Sequence, residues 1–173
     1  EIHPHAHTQG NHDGVEPHIW NSIPNAHIIS ANICKALSEI DPDNQEYYRH
    51  RLDSVQRVID RTEREMQRYL SNADPSFLIY HPALSYFARD YSLQQISIEE
   101  GGKEPSPTHL QELMNLCRQK QVRVVFVQQE FDQRNAEVIA QQLHLKIVPI
   151  NPLTYDWDKE MIHIAQSLSK NEQ

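Results

Sequence analysis

The sequence predicts an α/β protein: a four-stranded parallel sheet flanked by helices, preceded by one long rigid backbone helix. Three observations carry that expectation. After residue 73, short apolar runs alternate with stretches of helical period, the grammar of βαβ units and a parallel sheet. Between Pro42 and Leu70 there is no glycine and no further proline, while Tyr48, Leu52, Val55, Ile59, Thr62, Met66 and Tyr69 recur at spacings of four and three. Glycine is scarce elsewhere too, and Gly10, Gly14, Gly101 and Gly102 mark only two loops.

Taken in order, residues 1–20 lack apolar periodicity and read as loop. Residues 21–41 read as a helix, with Ser22 as its cap, Pro24 in its first turn, and Ile28, Ile29, Ile33 and Leu37 at helical period. The run "DPDNQ" breaks it and starts the long helix of the 42–72 segment. A rod of about 28 residues is about 40 Å long, more than one small core needs. It either pairs in a coiled coil or runs as a spine past two globular bodies. Residues 73–173 then supply the sheet. Strands are expected at 77–81, 93–99, 122–129 and 145–151, and helices at 82–91, 106–121, 133–144 and 156–170. Tyr86 and Phe87 are expected to face inward, and the run from Val122 to be buried on both faces. Ligands of such sheets gather beyond the carboxyl ends of the strands, here at Tyr80-His81, Glu99-Glu100 and Ile150-Asn151.

At 173 residues the chain has material for one core and is short for two ordinary domains. Its net charge of -8, with Lys and Arg dispersed, argues against nucleic acid or an anionic membrane as partner, since both select concentrated positive charge. No run of about eighteen apolar residues offers a membrane span. Cys34 and Cys117 form no CxxC motif and read as two separate semi-buried thiols, with a long-range disulfide as the alternative.

Histidine is the informative residue. His3, His5, His7, His12 and His18 crowd the first eighteen positions. His18 stands between Pro17 and the apolar wall of Trp20, and His81 follows a buried strand at the sheet's carboxyl edge. Each alone reads as a hydrogen-bonded structural histidine; together they suggest two imidazoles on rigid segments, half of a tetrahedral site.

These residues also carry a resemblance. "EPHIWNSIPNAHIISANICKALSEIDPDNQEYY" resembles the (D/E)PHxW segment and following helix of ZnuA-like zinc-binding proteins. "YHPALSYFARDYSLQQISIEEGGKEPSPTHLQELMNLCRQKQVRVVFVQQEF" is similar to that family's carboxyl-terminal half. Such proteins are periplasmic solute-binding components of ABC importers for zinc and manganese. The resemblance implies two α/β lobes joined by one long helix with the metal between them, and it implies that this chain is the carboxyl-terminal part, without the amino-terminal lobe. On that reading residues 21–41 belong to the amino-terminal side, 42–72 link the lobes, and 73–173 form the carboxyl-terminal lobe. The implied zinc ligands are His18 and His81. The tract His3, His5, His7 and His12 resembles the family's histidine-rich loop, which implies auxiliary zinc capture. A solvated tail with incidental metal affinity is the alternative.

Relatives of manganese type carry carboxylates at the position of His81 and near that of Asn151. Imidazole suits zinc, and hard oxygens suit manganese, so both departures point to zinc. Asn151 is read as ending its strand, with a weak amide ligand as the alternative. His27, His50, His109, His144 and His163 read as surface or packed residues. Glu99 and Glu100 stand near the cleft, where a carboxylate can orient an imidazole or simply solvate a loop.

The expected function is therefore non-catalytic: zinc capture in the periplasm, or from a lipid anchor outside the cytoplasm, and delivery to an ABC importer permease. Manganese or another divalent ion, with an adhesin-type role, is the alternative. A zinc hydrolase is disfavoured by the absence of HExxH, GxSxG or a Gly-rich phosphate loop. Surface meant for an absent lobe also makes self-association an expectation.

Overall fold

The computed structural model describes residues 15–99, 103, 105–128 and 134–170. Two helices lead: α1 (Ile23–Ile40) and, after a 3-10 turn at Pro42–Asn44, α2 (Gln45–Leu70). The rest alternates as β1 (Ser76–Ile79), α3 (Ser85–Asp90), β2 (Gln94–Ser97), α4 (Pro107–Gln119), β3 (Val124–Gln128), α5 (Arg134–Leu143), β4 (Lys146–Ile150) and α6 (Trp157–Leu168). The four strands form one parallel sheet in the order β2-β1-β3-β4. This is the fold class the sequence predicts.

Strand alternation divides the core into two layers. Phe77, Ile79, Val124, Phe126, Val148 and Ile150 point to one face, where they meet Ile59 and Met66 of α2 and Met161, Ile164 and Leu168 of α6. Leu78, Tyr80, Val125 and Val127 point to the other, against Leu113, Met114 and Cys117 of α4 and Ala136, Ile139 and Ala140 of α5. Phe77 and Phe126 meet edge to face across the first layer, with ring centroids 5.4 Å apart. Residues Val124–Gln128 are all buried, as a central strand covered on both faces must be.

The element ends carry the expected chemistry. Ser22 Oγ accepts from Asn25 N (3.2 Å) to cap α1, and Ser106 Oγ accepts from His109 N (3.2 Å) to cap α4. Element boundaries differ from the sequence reading by one to three residues, and three of the differences have a visible cause. The rod begins with a 3-10 turn rather than α-helix, because Asn44 and Tyr48 side chains are both drawn to the Asp41 carboxylate at that corner. β1 stops at Ile79, and α3 starts only at Ser85, because Pro82 turns the chain between them and Ala83 N returns to His81 O at 2.7 Å.

Helix α2 shares its seam between two partners within the chain, α1 and α6. Ile59, Thr62 and Met66 are buried, while Val55 stays 42% exposed. At the α1–α2 contact Gln56 bonds Ser30 Oγ (2.9 Å) and the His27 ring, whose other nitrogen faces Asp60 at 3.3 Å. Helix α1 buries only Ile23 and leaves Ile28, Ile33 and Ile40 exposed. Cys34 and Cys117 are both free thiols, and burial pushes the Cys117 thiol up to about 11. No described helix is long and apolar enough to cross a membrane.

Phe126, fully enclosed between β1 and the α2–α6 layer, tests this packing. Phe126→Ala is expected to cost about 3–5 kcal/mol, read as a lowered urea midpoint. A loss under about 1 kcal/mol would place Phe126 outside the core.

Candidate metal centre

His81 lies two residues past the end of β1, where the chain leaves the sheet's carboxyl edge. Tyr80 N still donates to Phe126 O at 3.0 Å, so the backbone ladder holds the position just before it. His18 arrives from a separate segment, residues 16–23, which is stitched onto this edge by its own side chains. Asn21 Nδ2 donates to Ala83 O (2.9 Å), Ser22 Oγ to Asp90 Oδ2 (2.6 Å), and Trp20 Nε1 to Pro152 O (2.9 Å). In return Trp157 Nε1 donates to Trp20 O (2.9 Å) and Tyr86 Oη to Glu16 O (3.2 Å). Asn21, Ser22 and Ile23 are buried as a result.

The two rings therefore meet although 63 residues separate them. Their Nε2 atoms are 3.2 Å apart, with ring centroids at 5.1 Å and planes at 75°. Two nitrogens bound at 2.0–2.1 Å to a tetrahedral zinc lie about 3.3 Å apart, so the pair already has the spacing of a chelate. Trp20 stands edge-on to the His18 ring, with centroids 5.5 Å apart, and forms the apolar wall.

Each imidazole is also fixed from behind. His18 Nδ1 donates to Glu16 Oε1 (2.5 Å), and His81 Nδ1 donates to Glu99 Oε2 (2.9 Å). A carboxylate accepts and so keeps the proton on Nδ1, which leaves the Nε2 lone pairs facing one another. At that distance either a shared proton or a metal ion can bridge the two nitrogens. Glu16 is itself anchored: Ser85 Oγ donates to Oε2 (2.8 Å), and His18 N donates to Oε1 (3.0 Å). Gln95 Nε2 donates to Ser85 Oγ (3.0 Å) and extends the chain to β2. Burial pushes the Glu16 carboxyl up, but the hydrogen bonds from the His18 ring, its backbone and Ser85 outweigh this and hold it below its ordinary value. The His18 side chain is 16% exposed and that of His81 29%, so the pair opens to one side.

Glu16 is the residue that sequence reasoning missed, though an acidic residue two positions before His18 was the available signal. Glu99 takes the imidazole-orienting alternative left open for it. Asn151 ends its strand: its Oδ1 accepts from Leu153 N (3.2 Å) within its own loop, and its N donates to Glu160 Oε1 (2.7 Å). His163 bonds Pro149 O (3.2 Å), and His144 ends α5 with a positive φ of 55°. His3, His5, His7, His12 and Glu100 lie outside the described residues. Among the described residues, no group of three or more His, Cys, Asp or Glu is disposed to hold a metal.

Residues 1–171 match the family model of ZnuA, the periplasmic component A of a zinc-uptake complex. The chain belongs to this family. A crystal structure of ZnuA superposes with a TM-score of 0.84 at 33% identity, covering 88% of this chain and 60% of that one. A ZnuA deletion mutant with zinc bound gives 0.84 at 32%, covering 91% and 61%. Among curated relatives, the manganese ABC transporter substrate-binding lipoprotein PsaA of Streptococcus mitis is 29% identical over 79% of this chain. The zinc-binding lipoprotein AdcA of Streptococcus pneumoniae is 27% identical over 84%. The chain spans 46% of the first and 30% of the second. Members of the ZnuA family named here thus bind zinc or manganese.

A carboxyl with a lowered folded value adds stability above its ordinary value of 4.5, and that stability is lost as pH falls through the folded value. Glu16→Gln should therefore flatten the acid limb of the urea midpoint below that pH. An unchanged acid limb would mean that Glu16 is not held by His18 and Ser85.

Proposed function

We propose that the protein captures zinc outside the cytoplasm and hands it to the permease of an ABC importer, with His18 and His81 as ligands from this chain. The observation that carries the reading is the pair of Nε2 atoms 3.2 Å apart, each ring held by a carboxylate on its Nδ1. Both donors are imidazole nitrogen, which favours zinc over manganese. The manganese reading keeps one point of support, the likeness to PsaA. A hydrolase would need a carboxylate free to activate water, whereas Glu16 and Glu99 are each engaged by an imidazole. Family membership favours a binding role as well. The extracytoplasmic location follows the periplasmic and lipoprotein names of the relatives.

The remaining ligands come from outside the described residues, from water or from another body. We assign α2, within residues 42–72, as the link to such a second lobe, with 21–41 on its side and 73–173 as the lobe that carries His81. The tract of His3, His5, His7 and His12 is read as an auxiliary collector that loads the tighter site.

Competition titration against a chromophoric zinc chelator tests this directly. His18→Ala and His81→Ala should each weaken the tightest zinc site by at least about tenfold, and manganese should not compete at equal concentration. Unchanged affinity in both variants would remove the ligand assignment. Affinity should also fall as the solution is acidified, because protons compete with the metal for imidazole nitrogen. A flat profile would contradict nitrogen ligation. Deleting residues 1–12 should lower zinc stoichiometry while the tight site persists; equal stoichiometry would remove the collector role.

A further inference from the structure

His81 occupies an awkward place for a residue that must aim a ring. The β1–β3 backbone ladder ends just before it, with Tyr80 N on Phe126 O, and Pro82 carries no N–H with which to continue. A peptide leaving a sheet edge has polar groups that need partners. Ala83 N meets His81 O at 2.7 Å within the turn, and one side chain engages both the N–H and the C=O. Gln128, the last residue of β3 and 3% exposed, donates from Nε2 to His81 O at 2.9 Å and accepts from His81 N at 3.4 Å through Oε1. Its primary amide reproduces the donor and acceptor of a peptide and adds one more rung to the sheet after the backbone has turned away.

We infer that Gln128 is a positioning residue for zinc capture: its side-chain amide clamps both backbone groups of His81 and so sets where that ring's Nε2 points. The inference rests on His81 being a ligand. Glu99 controls rotation of the ring about its own bonds, but it cannot fix the Cα position from which the ring swings. Gln128 does, from a strand that is paired along its whole length with β4 and buried throughout. Among amide, acid and apolar side chains of this length, only an amide serves. A carboxylate would accept from His81 N but oppose His81 O, and a thioether would satisfy neither.

The test compares wild type, Gln128→Met, Gln128→Glu and His81→Ala in the full chain. Zinc affinity is read by chelator competition, stability by urea midpoint, and ring geometry by the ¹⁵N signals of His18 and His81. Gln128→Met should weaken zinc by about 10–100-fold, the range typical of groups that orient a ligand. It should move the His81 ring signals while those of His18 stay in place. Gln128→Glu, which keeps one of the two bonds, should fall between Met and wild type and serves alone if the Met variant does not fold. Wild-type affinity in these variants overturns the inference, as does a joint fall of affinity and stability with the His81 signals unmoved. If His81→Ala binds zinc normally, the ligand assignment itself falls and takes this inference with it. If His81→Ala loses tight binding and the Gln128 variants do not, only the clamp is refuted.

Discussion

Two imidazole nitrogens are held at a common point 3.2 Å apart, and much of the carboxyl edge of this sheet is arranged to keep them there. Left free, either ring would rotate so that a lone pair met an N–H or water. The Glu16 and Glu99 carboxylates prevent this by holding the Nδ1 protons. Ser85 and Gln95 hold Glu16 in turn, and Asn21, Ser22 and Trp20 pin the segment that carries His18. Preorganisation of this kind moves the entropy loss of ordering two side chains from the binding step to the folding step. On the proposed zinc reading, an arriving ion meets donors already spaced for it.

The same arrangement explains the composition of the edge. The side chains that do the fixing are short hydroxyls, amides and carboxylates placed beside a fully apolar two-layer core. The core gives β1 and β3 a rigid frame, and the polar groups convert that rigidity into angular control of two rings. Neither part suffices alone, since an aimed ring on a loose strand wanders and a rigid strand with a free ring aims at nothing.

The fold was largely legible because its signals are periodic. Alternation of short apolar runs with helical stretches yields a parallel sheet regardless of detail, and Ser22 and Ser106 mark helix starts by local chemistry alone. His18 and His81 were legible because one precedes Trp20 in a distinctive segment and the other ends a buried strand. Their convergence is a tertiary fact, but it needs only the rule that ligands collect at strand ends. Glu16 and Gln128 were not legible in their roles. Glu16 reaches His18 through a turn of two residues, which no periodicity announces. Gln128 looks like the ordinary continuation of a strand, and its importance depends on Pro82, distant in sequence, having broken the ladder opposite. The late start of α3 has the same origin: one proline reset a boundary that helix propensity placed earlier.

Ser22 performs two tasks at once: its hydroxyl oxygen accepts from Asn25 N as α1 begins and donates its proton to Asp90 at the end of α3. The start of α1 is thus welded to the sheet body four residues from His18. A stiff rod rooted so close to the His18 ring acts as a lever. Torque applied along the exposed isoleucines of α1 reaches the His18 imidazole through four residues, of which Asn21 and Ser22 are buried and hydrogen-bonded. Whatever grips that helix therefore has mechanical access to the spacing of the His18 and His81 rings.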